Sequence, residues 1–364
     1  MSLGKVIRQL RPGENNPRNS EGAFYTFLDG RIIFIYSKYK GASHGDNASC
    51  DLYMLESMDN GETFTDAGTV FTCEELGAQN IMSVSLLGMK DGRVGLFFIK
   101  KISSTSFTIM LSKSIDGKRW TEPKRILAED GYYILVNDRV IRLRDGRIVM
   151  PYVYARYEEV LTKTGKVGVL NPGLIYVYGS DDEENFYRIS TAYGLTGNPG
   201  RGCLEPLLIQ RTDGTVECYA RTSLGYQYKM TALDDTLTSW SAFEKSIFKS
   251  QDAPLSMKYI DENTVLAIWA SRPENADPKI YGGEKNSSGR CYYVYSISRD
   301  GGKTFLEPRI LEHDETRGFC YCAIEPTSDG SVLLAYCSGG GGEEAHCLAR
   351  TTIRKISINE LLNN

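Results

Sequence analysis

The chain has 364 residues, 41% hydrophobic and 24% charged, which is typical of a folded globular protein and excludes disordered, collagen-like and coiled-coil chains. Its net charge of −4 argues against a broad basic surface for nucleic acid, although a local basic pocket stays open. No apolar run approaches the roughly 18 residues of a membrane-spanning helix, so we expect no membrane partner. The 36 glycines and 23 tyrosines favour β-structure with many turns.

Cysteine usage and the first residues bear on the cellular compartment. The nine cysteines are odd in number and lack the spacing of a disulfide scaffold, so we predict reduced thiols and a cytoplasmic protein. If a leader has been removed ahead of Met1, the protein is instead secreted or periplasmic. The three histidines and the cysteines show no metal-ligand pattern, so we expect neither a metal nor an organic cofactor. The oligomeric state is not predicted.

A turn motif recurs along the whole chain. Strand-like apolar segments flank an Asp-Gly pair or a degenerate form of it, which is a strong signal of a two-residue type I′ hairpin with positive φ at both central residues. A spacing of roughly 60 residues between the turns predicts an internal structural repeat. In chain order the turns are Asp29-Gly30, Asp91-Gly92, Asp145-Gly146, Asp213-Gly214, Asp261-Glu262-Asn263 and Asp329-Gly330.

A second motif follows most of these turns by roughly 30 residues. Its two clean copies are SMDNGETF at 57–64 and SRDGGKTF at 298–305, and eroded copies lie at 114–120 and 180–186. A doubtful copy lies near Asp235 and Trp240. The aspartate of such a motif accepts backbone N–H bonds across a turn, the glycine adopts positive φ, and the aromatic ring packs between sheets. We therefore interpret the motif as structural, not catalytic.

Six repeats account for the length of the chain. A unit of about 60 residues can form one four-stranded sheet, and radial repetition of such sheets protects their edges. We therefore predict an all-β fold, a six-bladed β-propeller of four-stranded antiparallel blades, as a single domain over residues 1–364. The glycine-rich segment 338–344 is predicted to be a turn inside the last blade rather than a domain boundary.

The second motif has the form Ser-x-Asp-x-Gly-x-x-aromatic and resembles the Asp box, or BNR repeat, of the sialidase (neuraminidase) superfamily. The resemblance covers nearly the whole chain. It implies a retaining exo-glycoside hydrolase that releases terminal sialic acid, or a related anionic sugar, from glycoconjugates without a cofactor. Asp boxes also occur in non-enzymatic receptors, so activity has to be argued from the site.

The resemblance implies a tyrosine nucleophile, because a neutral phenol avoids the repulsion that an anionic nucleophile would meet from the substrate carboxylate, and a glutamate that takes the phenolic proton. Tyr321, ahead of the last turn, corresponds to this nucleophile. Glu205 precedes the fourth turn and Arg221 follows it, which resembles the family's base and one arginine of its carboxylate-binding triad. Since the two strands of a hairpin bring such residues to one end of a blade, a cross-strand salt bridge is the alternative.

Two further residues correspond to functional positions of the family. Arg290, ahead of the strand that leads into the motif at 298–305, resembles the late triad arginine, whose planar guanidinium binds a carboxylate bidentately. The general acid is an aspartate on a flexible loop of the first blade. Asp46, in a loop that contains Gly41 and Gly45, corresponds to it, and Asp51 is a nearby competitor.

One part of the family's pattern is absent. Sialidases carry the first triad arginine in an Arg-Ile-Pro segment before the first turn, and this chain has Glu21 there. Arg18, Lys38 or Arg139 would have to supply the charge. Because Asp138 and Arg139 precede the third turn, we expect both to face the same pocket and to bind substrate. If none does, carboxylate affinity falls and the sugar is a different one, such as a sugar whose hydroxyl or amine donates to Glu21. Three functions stay open: a sialidase, a glycosidase of altered specificity, and a non-catalytic glycan-binding propeller.

Overall fold

The computed structural model describes residues 3–127, 131–155, 157–162, 165–170, 172–195, 202–271, 289–342 and 344–363. β-Strands dominate these residues, as the turn pattern predicts. No helix in this part of the chain is long and apolar enough to cross a membrane. In chain order the elements are β1 (Lys5–Leu10), β2 (Asn19–Thr26), β3 (Ile32–Tyr39), β4 (Cys50–Ser57), β5 (Thr65–Phe71), β6 (Asn80–Gly88), β7 (Val94–Lys101), β8 (Phe107–Ser114), β9 (Lys124–Arg125), β10 (Tyr132–Ile134), β11 (Ile141–Arg142), β12 (Ile148–Ala155), β13 (Tyr157–Thr162), β14 (Gly165–Leu170), β15 (Leu174–Ser180), β16 (Tyr187–Arg188), β17 (Leu204–Gln210), β18 (Val216–Arg221), β19 (Tyr226–Thr231), β20 (Glu244–Lys249), β21 (Ser256–Tyr259), β22 (Val265–Ala270), β23 (Tyr292–Ser298), β24 (Arg309–His313), β25 (Cys320–Pro326), β26 (Ser331–Cys337), β27 (Thr351–Ser357) and α1 (Ile358–Asn363).

The strands form six antiparallel sheets that are the blades of a propeller, which confirms the predicted fold. Blades 1, 2, 4 and 5 are β2-β3-β4-β5, β6-β7-β8-β9, β17-β18-β19-β20 and β21-β22-β23-β24. In blade 3, β10 and β11 both pair with β12, and the order continues through β15 to β16. The separate hairpin β13-β14 is inserted between β12 and β15.

Both ends of the chain contribute to blade 6. Its order is β25-β26-β27-β1, so the first strand of the chain is the outermost strand of the last blade. The pairing runs from Lys5 opposite Lys355 to Leu10 opposite Thr351. Because ladder hydrogen bonds then join the two ends of the chain, the ring of blades is closed without an additional repeat.

The Asp-Gly turns differ in one detail from the predicted two-residue type I′ hairpins. At the first turn Phe27 N–H donates to the carbonyl of Arg31 at 2.8 Å, so three residues form the loop. Only Gly30 has positive φ, at 84°, which is a type I turn followed by a glycine bulge. Asp29 Oδ1 accepts the N–H of Arg31 at 3.0 Å, which explains the aspartate. Equivalent backbone bonds close the turns at Gly92, Gly146, Gly214 and Gly330.

The Asp boxes connect the third and fourth strands of their blades. In the first, Asp59 Oδ1 accepts the N–H of Thr63 at 2.9 Å, and Ser57 Oγ accepts the N–H of Gly61 at 2.9 Å. The doubtful copy in blade 4 is a box too. Its acceptor is Asp234, not Asp235, because Asp234 takes the N–H bonds of residues 238 and 239. These contacts stay inside each motif, as a structural role predicts.

Six apolar clusters hold the ring together, one between each pair of neighbouring blades. Between blades 4 and 5, for example, the rings of Phe248 and Trp269 meet edge to face with centroids 5.0 Å apart. Burial of such large rings is the main source of stability in a sheet-on-sheet contact. Each inner strand is therefore held on both sides by its neighbouring blades.

Five of the six blades have a non-glycine residue with positive φ near the start of the inner strand. In blades 1, 2, 4 and 6 the pairing register with the second strand shifts at this point, which marks a β-bulge. A bulge re-aims a side chain, and the strained backbone persists only where the surroundings hold it. These residues are Glu21 (55°), Ser83 (61°), Asp138 (56°), Glu205 (45°) and Tyr321 (56°).

Candidate active site

The starts of the inner strands meet the β3-β4 and β26-β27 loops at one end of the propeller, which we call the pocket end. Because neighbouring strands are antiparallel, the Asp-Gly turns and the Asp boxes lie at the opposite end, the turn end. A cavity of about 340 Å³ lies at the pocket end. Its polar side chains are those of Arg18, His44, Asp46, Glu205, Arg221, Arg290, Tyr321 and His346.

A second, larger cavity lies away from these pocket residues. It has a volume of about 520 Å³ and lies at the turn end, between the turn that contains Asp145 and the turn that contains Asp213. Both aspartates accept the N–H group two residues ahead in their own turns. The perturbed groups that suggest chemistry cluster instead in the smaller cavity, so we take the pocket end as the candidate site.

Tyr321 and Glu205 form a direct pair in the pocket. The Tyr321 hydroxyl donates to Glu205 Oε1 at 2.6 Å, although the two residues are 116 positions apart. Burial and the Glu205 charge raise the pKa of Tyr321 well above its ordinary value, although Arg221 and Arg290 act in the opposite direction. The phenol is therefore neutral, and its proton already points at a carboxylate oxygen that can accept it.

Arg221 fixes the other oxygen of Glu205. Its Nη1 donates to Glu205 Oε2 at 2.7 Å, and its Nε donates to Asp252 Oδ1 at 2.5 Å. Leu204, next to Glu205, pairs with Arg221 across the β17-β18 hairpin. The structure thus brings the predicted glutamate and arginine together, and both belong to the same pocket as the tyrosine.

Arg290 has a different environment. Its Nη2 donates to the carbonyl of Asp252 at 2.9 Å, and its Nη1 lies 3.1 Å from Cys320 Sγ. Its guanidinium carbon lies 5.8 Å from the centre of the Tyr321 ring. Within the described residues it forms no ion pair with a carboxylate, and its buried Nε has no hydrogen-bond partner. Among the three pocket arginines it therefore has the greatest remaining capacity to bind an anion.

Arg18 is the third arginine of the pocket. Its Nη1 donates to Asp46 Oδ1 at 2.6 Å, its Nη2 to Glu21 Oε2 at 2.6 Å, and its Nε to Ser20 Oγ at 2.8 Å. Of the three cations considered for the missing triad position, the structure places only this one in the pocket. A search for an Arg-Ile-Pro segment does not find Arg18. The β-bulge puts Glu21 where the triad arginine is expected, and the guanidinium of Arg18, three residues earlier in the chain, extends into the pocket.

The two carboxylates on Arg18 differ in their pKa. Burial acts to raise the pKa of Asp46, but the charge and hydrogen bond of Arg18 outweigh it, so the pKa lies below its usual value. At Glu21 burial is the stronger influence and raises the pKa despite Arg18. Asp51, the competitor of Asp46, does not line the pocket: it accepts the N–H of Cys73 at 2.9 Å and pairs with Lys40 at 3.0 Å.

Four predicted binding residues do not line the cavity. Glu21 is buried behind Arg18, where no sugar can donate to it while the ion pair holds. Lys38 Nζ lies 3.9 Å from the centre of the Tyr53 ring on the blade. Asp138 and Arg139 were expected to face the pocket, and the structure contradicts this: they lie beneath it because they bind the backbone of neighbouring inner strands.

Residues 137–139, which we call the axial plug, join the inner strands of several blades. Asn137 Nδ2 donates to the carbonyls of Gly22 at 2.8 Å and Tyr321 at 3.3 Å. Asp138 Oδ2 accepts the N–H of Ile324 at 3.2 Å, and Oδ1 lies 3.5 Å from Lys258 Nζ. Arg139 Nη2 donates to the carbonyl of Leu255 at 2.8 Å. The plug therefore supports the pocket from below.

Sequence reasoning missed several residues of the pocket. His44 and His346, from the loops of blades 1 and 6, place their rings 4.3 Å apart. Asp252, between blades 4 and 5, contacts both Arg221 and Arg290. No motif marks them. Their only signal is position, since the second inter-strand loop of a blade and the connection from one blade to the next both lie at the pocket end.

One group in the described residues has the spacing of metal ligands: Asp51, Cys73 and Glu74. The Lys40 ammonium lies 3.0 Å from Asp51 Oδ2 and 2.7 Å from Glu74 Oε2. Because a cation already lies between the carboxylates, this group does not suit a metal ion. It lies outside the pocket.

The sequence matches the BNR repeat-like domain over residues 84–334, which is more than half of the chain. The protein belongs to the BNR repeat-like family. Its Asp boxes and six blades are those of a BNR propeller, as the motifs predicted. No curated protein sequence matches this BNR propeller.

Solved structures share its fold at low sequence identity. A protein of unknown function from Dyadobacter fermentans is 15% identical, with a TM-score of 0.69 over 97% of this chain and 99% of its own. A mutant of the NanB sialidase from Streptococcus pneumoniae is 11% identical, with a TM-score of 0.68 over 99% and 71%. A leech intramolecular trans-sialidase complexed with 2,7-anhydro-Neu5Ac is 12% identical, with a TM-score of 0.68 over 99% and 71%. At these identities the similarity concerns the fold.

Proposed function

We propose that the protein is a retaining exo-glycoside hydrolase of sialidase type. Its substrates would be glycoconjugates with a terminal sialic acid or a related sugar that carries a carboxylate. The observation that carries the proposal is the 2.6 Å hydrogen bond from the Tyr321 hydroxyl to Glu205, in a cavity that also holds Arg221 and Arg290. A nucleophile next to its base and an anion-binding arginine together form a glycosidase site.

In the first step the Tyr321 oxygen attacks the anomeric carbon while the bond to the leaving oxygen breaks. The phenolic proton passes to Glu205 Oε1, and the leaving oxygen takes a proton from the general acid. In the second step water attacks the anomeric carbon and the bond to Tyr321 breaks. The phenolate recovers its proton from Glu205, and the deprotonated acid accepts the proton of water. Two inversions give retention.

The sugar carboxylate would bind Arg290 and Arg221. Arg290 has no carboxylate partner among the described residues, so it can bind an anion bidentately without giving up an ion pair of its own. Arg221 already bonds Glu205 and Asp252, so its contribution is mainly to hold the base in place.

Asp46 is our candidate for the general acid, because it lines the pocket from blade 1, next to the nucleophile's blade 6, and its competitor Asp51 does not line the pocket. In the unliganded protein Arg18 keeps its pKa low, so it is charged at neutral pH. It therefore has to leave Arg18 before it can donate a proton.

A glycosidase of altered sugar specificity is the second candidate. Its supporting observation is the pairing of Arg18 with both Glu21 and Asp46, which leaves less positive charge for a sugar carboxylate than three unpaired arginines would. A non-catalytic propeller has less support, because a binding site does not need a phenol that donates to a glutamate.

The test is release of 4-methylumbelliferone from its α-sialoside by the purified protein. We expect turnover that is abolished by Tyr321→Phe. Tyr295→Phe is a matched control, because its buried hydroxyl has no hydrogen-bond partner in the described residues and the change should leave turnover intact. Turnover confined to other 4-methylumbelliferyl glycosides would support the altered specificity instead. Glycan-array binding without any turnover would overturn the enzyme proposal.

A further inference from the structure

Three side chains accept hydrogen bonds from the Arg18 guanidinium, and they differ in exposure. Ser20 and Glu21 are buried residues of the same inner strand. Asp46 comes from the β3-β4 loop, and its side chain is 70% exposed, whereas that of Arg18 is only 2% exposed. A partner that faces solvent can be exchanged without opening the core. Asp46 is therefore the exchangeable ligand of a buried cation.

The loop permits this exchange without a change of its path. Lys101 Nζ donates to the backbone carbonyl of Asp46 at 2.6 Å, and Asn80 Nδ2 donates to the carbonyl of Ala48 at 2.6 Å. These bonds hold the main chain at Asp46 itself and two residues after it. Rotation about the Asp46 side-chain bonds alone can then separate its carboxylate from Arg18.

The charges around Arg18 make the exchange necessary. The titratable groups that face Asp46 are Arg18, Glu21, Lys101 and His346. Two carboxylates already balance the charges of Arg18 and Lys101, so a third carboxylate on Arg18 would compete with Asp46 for the same guanidinium. Like charges in a partly buried site cannot both stay ionised at low cost.

We propose that Asp46 is an internal carboxylate ligand of Arg18, which the carboxylate of the substrate displaces when it binds Arg18 as well as Arg290. This inference rests on the proposed function, since it needs a carboxylated sugar. The exchange couples recognition to chemistry. A ligand without a carboxylate leaves Asp46 on Arg18, charged and unable to donate a proton.

Displacement changes the protonation of Asp46. Away from Arg18 the carboxyl loses the interactions that lower its pKa, and the bound sugar adds burial and a second negative charge, both of which favour the protonated form. Asp46 then takes a proton from solvent and holds it near the leaving oxygen. Binding of a carboxylated sugar is therefore accompanied by proton uptake, so its affinity falls as the pH rises above neutrality.

The experiment is calorimetric titration of free N-acetylneuraminic acid into the wild type, Asp46→Asn and Asp51→Asn, each in two buffers of different ionisation enthalpy. We expect Asp46→Asn to bind roughly tenfold more tightly than the wild type, because a neutral amide competes less well for a guanidinium. The wild type should take up protons on binding, and Asp46→Asn should not. Asp51→Asn, at the start of the strand that follows this loop and paired with Lys40, should behave as the wild type.

The outcomes separate the two proposals. If the wild type cleaves the sialoside while Asp46→Asn binds no more tightly, the exchange is overturned and the hydrolase stands. If the wild type neither cleaves nor binds but Asp46→Asn binds, the exchange is supported and sialoside hydrolysis fails. If no variant binds and the wild type does not cleave, both are overturned. Asp46→Ala, which removes the competing group entirely, should show a larger gain in affinity than Asp46→Asn.

Discussion

The two ends of the propeller use carboxylates in opposite ways. At the turn end, Asp300 bonds Ser298 and Thr304, so every partner lies within four residues. At the pocket end, Glu205 bonds Arg221, 16 positions away, and Tyr321, 116 positions away. A carboxylate satisfied by its own turn shapes that turn. Glu205 instead binds a guanidinium of its own blade and a phenol of another blade, which is the arrangement that a reaction requires.

The same contrast applies to strained backbone. At the Asp-Gly turns the left-handed residue is a glycine such as Gly30, which adopts positive φ without a steric cost. On the inner strands it is Glu205 or Tyr321, and a non-glycine residue there costs on the order of 1–3 kcal/mol. The backbone is therefore strained at the positions that direct functional side chains into the pocket. The apolar clusters between the blades stabilise this strained backbone.

The largest expected effect is at the pocket end. Glu205→Gln removes the proton acceptor of Tyr321, so we expect kcat/KM for the α-sialoside to fall by roughly 10²–10⁴-fold. The melting temperature should change little, because Arg221 keeps Asp252. The control is Glu217→Gln, which lies on the neighbouring strand and bonds Lys229 and should reduce stability with kcat/KM retained. Full activity in Glu205→Gln would contradict the role of Glu205.

The axial plug is intermediate between the two ends. It lies close to the pocket, but its side chains bond backbone groups, as the aspartates of the turn end do. Asp138→Ala leaves the N–H of Ile324 without its acceptor and removes one of the two carboxylates at Lys258. We expect a loss of about 2 kcal/mol in the free energy of unfolding. Urea denaturation at neutral pH measures it.

Ile324 follows Tyr321 by three residues, so Asp138→Ala should also lower the activity per folded molecule. That loss should be smaller than the loss in Glu205→Gln. Unchanged stability combined with a fall in affinity for N-acetylneuraminic acid would show that Asp138 binds substrate, as the sequence had suggested, and not the strand.

The contrast between the ends explains what the sequence reveals. The turns and Asp boxes are local motifs, so the repeat, the six blades and the box residues are visible as fixed spacings. The pocket is assembled from residues far apart in the chain, and only a resemblance pointed to Tyr321, Glu205 and Arg290. Arg18 was left among three candidates, because register at a β-bulge decides which cation reaches the axis.

The errors have the same origin. Arg139 precedes a hairpin just as Glu205 does, yet its strand is interrupted between β10 and β11, and the side chain turns beneath the pocket. The turn type was misassigned because Asp-Gly suits both a two-residue loop and a three-residue loop with a glycine bulge. Spacing along the chain does not distinguish these cases, since cross-strand hydrogen bonds decide them.

The smallest expected effect is at the turn end, in the pH dependence of stability. Burial acts to raise the pKa of Asp300, but hydrogen bonds from Thr304 and Ser298 outweigh it and lower the pKa to about 2. An unfolded aspartate has a pKa of about 3.9, so this stabilisation is complete above about pH 4 and is lost as the pH falls towards 2. Because Asp300 is exposed, we expect Asp300→Asn to cost at most about 1 kcal/mol at pH 7.

Urea midpoints at pH 7 and pH 3 test this. The difference between the wild type and Asp300→Asn should shrink at the lower pH, because at pH 3 the aspartate of the unfolded chain is largely protonated while that of the folded protein is still mostly ionised. Sialoside turnover should be unchanged at neutral pH. A selective loss of turnover with unchanged stability would show that Asp300 influences the pocket from the far end of blade 5. The turn end would then have a role in activity as well as in structure.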